Sequence, residues 1–405
     1  MRSNRKISFL DILAFITIAT LLAGCGEEKP TFSLLPEQDE FSQSSSTVNN
    51  KVDILWIVDG SGTMANHQSN LAANFGDFIA DFADKGFDFQ MAVASTDAWL
   101  REVNYNGGTC SSNPNPSLNP NTIYRSSADC ANTLATFGDL TKFRDGDIYG
   151  AQNGTPGPRS GVYLITSMMS ALDISNTFST NVRTGTRGDG TREAGFQSLR
   201  AVLRRNADGS AAYNGETHTA LASFRRESAF LAVIIVSDEE DQSRKQNGQT
   251  YATAQEYTDA FIAFMDGYTG GVEGNRRYNV SSIVINDINN CAYGLHPQAT
   301  QGDRYVAVAG ATGGVVGNIC SNDFSNELSA ISQSIVTLST RFQLSREPVP
   351  STITVRVNGN SVPESATNGW TYVAEGGFHF IEFHGAAIPP QGASISVDFD
   401  PVTIK

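Results

Sequence analysis

Several kinds of chemistry are missing from this 405-residue chain. There is no HExxH helix, no GxSxG elbow and no Cys–His signature, so neither a zinc-bound water nor an activated nucleophile is encoded. No CxxC pair occurs, which removes the usual spacing of zinc ribbons and redox dithiols. Histidine is scarce, with five in the whole chain, and none is read as belonging to a catalytic motif. Basic residues are also short: 28 Lys and Arg stand against 42 Asp and Glu, a net charge of −14. That balance excludes a phosphate backbone as the natural partner, so nucleic acid is not expected. Nor is there an apolar run long enough to span a bilayer comfortably.

The longest such run, Ile12 to Ala23, follows Arg2, Arg5 and Lys6 and reads as a secretory signal over residues 1–24. It ends in Leu22-Ala23-Gly24-Cys25, which resembles a bacterial lipobox. The resemblance implies cleavage before Cys25, lipidation of its thiol, and anchoring in the membrane through that lipid. Gly26, where an Asp would signal inner-membrane retention in enteric bacteria, implies the outer membrane. Residues 1–24 hold three basic and one acidic side chain, so the remainder stands near −16. Four further cysteines remain, an even number suited to an oxidising compartment. They allow three pairings, and proximity favours Cys110–Cys130 and Cys291–Cys320. The Ser-rich, polar stretch 25–50 reads as a flexible tether.

The chain then changes character at Lys51. Ile54 to Val58 is an unbroken apolar run, as in a strand buried on both faces. Asp59, Ser61 and Thr63 follow at alternate positions, interleaved with Gly60 and Gly62. A carboxylate and two hydroxyls leaving a strand end form an oxygen-rich site for a hard cation, and glycine permits unusual backbone angles there. A second buried run, Phe230 to Val236, leads into Ser237-Asp238-Glu239-Glu240-Asp241. In an open α/β sheet the ends of two such strands lie at one edge, where ligands bind. Carboxylates facing each other there repel unless a cation lies between them.

This pattern resembles the metal-ion-dependent adhesion site of von Willebrand factor type A domains, Asp-x-Ser-x-Ser, with Thr63 in the last place. The SDEED loop and the stretch ATGGVVGNIC look like those of bacterial lipoproteins carrying such a domain. The resemblance implies that Asp59, Ser61, Thr63 and Asp238 hold a metal. It adds a third hydroxyl from a threonine before a helix, for which Thr191 fits best and Thr184 and Thr186 are alternatives. It also implies that the ion takes its last ligand from an acidic side chain of a partner protein. Hydroxyl ligands and few carboxylates favour Mg²⁺, with Mn²⁺ or Ca²⁺ as substitutes. No catalytic residue is assigned. A hydrolase would need Glu239 or Asp241 as base, and an enzyme is not expected.

For the fold, strands and helices alternate over residues 51–344, predicting a doubly wound, mostly parallel α/β sheet. Helical spacing is read over Leu71–Phe82, Tyr163–Leu172, Leu199–Leu203, Tyr257–Met265 and Leu328–Leu338. An Asn-, Pro-, Gly- and Ser-rich insertion spans about 99–159 and is a candidate for partner specificity. Residues 345–405 read as a small β module, with an Asn358-Gly359 hairpin turn. His379 and His384, on or beside its strands, are read as packing or surface residues. Three outcomes are open at this stage: a metal-dependent adhesion or envelope-assembly module, a structural metal with binding elsewhere, or a metal-assisted hydrolase.

Overall fold

The computed structural model describes residues 37–41, 51–85, 87–96, 105–106, 109–110, 160, 162, 164–185, 193–203, 224–226, 229–245, 249–272, 275–291, 299–390 and 392–402. The two apolar runs form the centre of the larger sheet. Strands β1 (Glu37–Phe41), β2 (Lys51–Val58), β3 (Asp88–Ser95), β4 (Tyr105–Asn106), β5 (Thr109–Cys110), β6 (Ile165–Thr166), β7 (Phe230–Ser237), β8 (Tyr278–Val284) and β9 (Val316–Asn318) precede the tail. The main sheet has the order β6-β3-β2-β7-β8-β9. Only β6 runs antiparallel, so this is the doubly wound, mostly parallel sheet that the sequence predicts.

Two helical layers cover it. Helices α1 (Ala65–Lys85), α2 (Ala171–Asn181) and α6 (Ser325–Ser339) lie on one face, and α3 (Gly195–Val202), α4 (Ala254–Thr269) and α5 (Asp303–Ala311) on the other. The alternation within β2 follows: Ile54, Trp56 and Val58 join the first core, Leu55 and Ile57 the second. Trp56 meets Phe78 and Phe178 edge-on, contacts worth about 0.5–1.5 kcal/mol each beyond area burial. Among the described residues no helix is long and apolar enough to cross a membrane.

The tail is a second, smaller core. Strands β10 (Phe342–Gln343), β11 (Thr354–Val357), β12 (Asn360–Val362), β13 (Trp370–Glu375), β14 (Phe378–Phe383) and β15 (Ile395–Phe399) form two antiparallel sheets, β1-β15-β11-β12 and β10-β14-β13. Asn358 and Gly359 both have positive φ, as a tight hairpin turn between β11 and β12 demands. His379 bonds to the Tyr372 hydroxyl and His384 to that of Thr371, within the β13–β14 ladder. Cys291 and Cys320 form the expected disulfide. Cys25 and Cys130 lie outside the described residues, as does the insertion apart from the β4–β5 hairpin.

Two sequence expectations change. Glu37–Phe41, read as part of a tether, is the strand β1, paired antiparallel along its length with β15. Tyr163–Leu172, read as a helix, holds the two-residue edge strand β6 and a turn, and α2 starts only at Ala171. The Ser170 side chain accepts from Asp173 N there, fixing the helix start.

Candidate metal site

Strand register brings the two acidic motifs together. Val58 pairs with Val236 at the C-terminal end of β2 and β7, so Asp59 leaves its strand beside Ser237 and Asp238. The Asp59 amide still donates to the Val236 carbonyl (2.9 Å), which ties the loop to the sheet. Asp59 is fully buried and Asp238 is 4% exposed. One Asp59 oxygen accepts from Ser61 N (2.7 Å) and the other from the Ser237 hydroxyl (2.7 Å). Each carboxylate oxygen has two lone pairs, so accepting one hydrogen bond does not by itself bar a metal contact.

The hydroxyls are grouped as the motif requires. Ser61 Oγ and Thr63 Oγ1 lie 2.9 Å apart, half-buried, on the turn that leads into α1. Neither Gly60 nor Gly62 takes a positive φ, so unusual backbone angles are not what this turn needs. Asp238 Oδ1 is buried and has no hydrogen-bond partner among the described residues. An unsatisfied buried acceptor costs about 1–3 kcal/mol, and more when charged. A cation held by Asp59 and Asp238 would remove that cost, so the donor set fits a hard divalent ion.

The third hydroxyl is only partly placed. Thr191 and Thr186 lie outside the described residues. Thr184 is fully buried, but its hydroxyl faces the Asp59 carbonyl (3.4 Å) and the Gln68 amide (3.0 Å). The same Gln68 nitrogen donates to the carbonyls of Asp59 (2.8 Å) and Gly185 (2.9 Å). Gln68 thus fastens the metal loop to the 184–185 turn, a role no local pattern announces.

Three similarity comparisons bear on the chain. No protein-family model matches it, and no curated protein does. Solved structures give likenesses at 9–11% identity. The pilus adhesin SpaC from Lactobacillus rhamnosus GG matches 86% of this chain and 39% of its own length, with a TM-score of 0.32. Proximal thread matrix protein 1 of the mussel byssus, with a zinc-occupied MIDAS motif, matches 73% of this chain and 50% of its own at 0.30. VWA2, an ArnB paralog from Sulfolobus acidocaldarius, matches 90% and 62% at 0.28. The chain thus spans less than two thirds of each. Scores this low carry no argument, and the site stands on its own geometry.

That geometry includes groups with no motif around them. His67, in the first turn of α1, is 8% exposed, and the sequence reading gives it no role. Burial holds its pKa below the ordinary value, and the nearby Asp238 charge opposes that shift. Glu193 is 3% exposed and accepts the hydroxyl proton of Thr96, at the end of β3.

Of the remaining acids of the SDEED loop, Asp241 and Glu240 tie the loop to neighbouring helices. Asp241 is fully buried and accepts from Phe196 N (2.9 Å), the Tyr257 hydroxyl (2.7 Å) and Ser243 N (2.5 Å), holding the start of α3 against α4. Glu240 accepts from Arg304 N with both oxygens (3.2 Å each), in the first turn of α5. Burial, with the Asp241 charge adding to it, pushes Glu240 up to about 7. Glu239 accepts from the Gln242 side chain (3.1 Å) at the surface.

Proposed function

We propose that this chain is a divalent-cation-dependent protein-binding module, used in adhesion or envelope assembly and anchored in the outer membrane through Cys25. One observation carries the reading. Two carboxylates, Asp59 and Asp238, leave neighbouring parallel strands side by side, buried, and one Asp238 oxygen has no partner among the described residues. Asp59, Ser61, Thr63 and Asp238 would hold the ion, with Thr191 as the candidate for the third hydroxyl. All are oxygen donors, which suits Mg²⁺, or Mn²⁺ or Ca²⁺, ahead of softer ions.

When bound, the cation supplies a Lewis-acidic position that a carboxylate of a partner can complete. The chain's own residues do the rest. The strand ends fix both acids, the Ser61–Thr63 turn keeps their hydroxyls at the solvent boundary, and Gln68 holds the loop in place. Of the two candidate bases, Asp241 is committed to three internal donors and Glu239 bonds to Gln242 at the surface. A binding role is therefore favoured over hydrolysis.

The test is capture of partners from envelope extract in Mg²⁺, in EDTA, and with Asp59→Ala. A partner retained in Mg²⁺ but lost in both other arms is the expected result. A partner held equally in all three would move the binding surface to the 99–159 insertion or the β module.

A further inference from the structure

Ser237 is the last residue of β7, fully buried, next in sequence to Asp238 and bonded to Asp59. Its hydroxyl lies 2.7 Å from Asp59 Oδ2 and 3.1 Å from the Glu239 carbonyl, and it accepts from Glu239 N at 3.0 Å. A hydroxyl has one proton to donate, so the two acceptors compete for it. The carboxylate is the nearer, and a bond to an ionised acceptor is the stronger kind. The proton therefore goes to Asp59.

One oxygen thus serves both acids. As donor, it fixes the rotation of the Asp59 carboxylate. As acceptor from the amide two residues on, it closes a hydroxyl turn over Ser237-Asp238-Glu239, which sets the direction in which Asp238 leaves its strand. The outer side of that turn is clasped separately. Thr300 N donates to the Asp238 carbonyl (3.1 Å), and Glu240 N donates to the Thr300 hydroxyl (2.8 Å). Those two contacts hold the backbone of the Asp238 loop only. The Ser237 hydroxyl reaches a carboxylate oxygen of one acid and the turn that carries the other, so it fixes the two relative to each other.

We propose that Ser237 is a positioning residue of the cation site. Its hydroxyl holds the Asp59 and Asp238 carboxylates in the mutual arrangement the ion needs, and so sets the affinity through them. This rests on the reading of Asp59, Ser61, Thr63 and Asp238 as the cation's ligands. Groups standing behind metal ligands typically contribute about 10–100-fold in affinity. Ligands left free to rotate must otherwise be ordered when the ion binds.

The experiment is titration of Mn²⁺, followed by electron paramagnetic resonance, into the wild type, Ser237→Thr and Ser237→Val. Threonine and valine have nearly the same shape and only threonine carries a hydroxyl, so any packing cost is common to both. Wild-type-like affinity is expected in Ser237→Thr, and a weakening of about 10–100-fold in Ser237→Val. Circular dichroism in EDTA should be the same for all three. Ser237→Ala, which adds no methyl group, should match Ser237→Val and replaces it if the branched side chains prevent folding. Affinity undiminished in Ser237→Val or Ser237→Ala would overturn this proposal and leave the cation site standing. Equal weakening in Ser237→Thr and Ser237→Val would also overturn it, by assigning the effect to packing. No saturable Mn²⁺ binding in the wild type would overturn the reading of the cation site, and this proposal with it.

Discussion

Replacing Asp53 by alanine is expected to destabilise the fold by about 3–5 kcal/mol, the usual cost of stranding a buried charge partner. Asp53 lies near the start of β2 and its side chain is fully buried. Its Oδ2 accepts from Arg225 Nη1 (3.0 Å) and Arg226 N (2.7 Å), and its Oδ1 from Arg226 Nε (2.8 Å). Arg226 continues to the carbonyls of Val52 and Asp88 and to the Asp88 carboxylate. One aspartate thus fixes two arginines and the turn at 225–226 beneath the central strands. Without it both guanidiniums, each about one fifth exposed, lose their main acceptor while still largely removed from water. Asp88→Ala is the control. That carboxylate is 38% exposed, and its loss should cost no more than about 1 kcal/mol. Urea unfolding of the three proteins reads the difference, and a cost below about 1 kcal/mol for Asp53→Ala would show that the pair is not what secures this end of the sheet.

Asp238→Asn should reverse its effect with the metal. In EDTA the wild type carries two neighbouring buried carboxylates with no cation between them. Removing one charge relieves their repulsion, so the variant should melt at or above the wild-type temperature. In excess Mg²⁺ the order inverts. A cation at a hundred times its dissociation constant stabilises the wild type by about 2.7 kcal/mol. That corresponds to roughly 5–10 °C for a domain of this size class. The variant should gain little. Thermal melts in EDTA and in Mg²⁺ give both comparisons. An equal Mg²⁺ shift in the two proteins would place the cation elsewhere.

What the sequence disclosed and what it hid divide along local and non-local lines. The central strands β2 and β7 were legible because an unbroken, β-branched apolar run followed by a polar turn is what burial on both sheet faces demands. Asp59 and Asp238 were legible because each follows its strand directly, and parallel strands end at a common edge. Helix α2 was misplaced because Leu164, Ile165, Met168 and Leu172 can be fitted to a helical period. Ile165 is in fact buried in a short edge strand, while Met168 is 91% exposed. The Ser170-x-x-Asp173 cap was the local signal that could have corrected it.

Other features had no such signal. Strand β1 has neither alternation nor an apolar run, and its place is shown by backbone pairing with β15, more than 350 residues later. Gln68 and His67 look like surface positions of a helix's first turn, yet both are buried. Gln68 is enclosed because the 184–185 turn meets it from a distant part of the chain. The Asp53–Arg225–Arg226 cluster joins residues about 170 positions apart, which spacing along one strand cannot foretell.

The central claim is that Asp59, Ser61, Thr63 and Asp238 form one divalent-cation site. Titration of Mn²⁺ followed by electron paramagnetic resonance tests it directly, since bound and free Mn²⁺ give distinct signals. The account predicts one saturable Mn²⁺ per chain that Mg²⁺ displaces, and its loss in Asp59→Ala with the fold retained. Saturable binding unchanged in Asp59→Ala, or no saturable binding in the wild type, would contradict it.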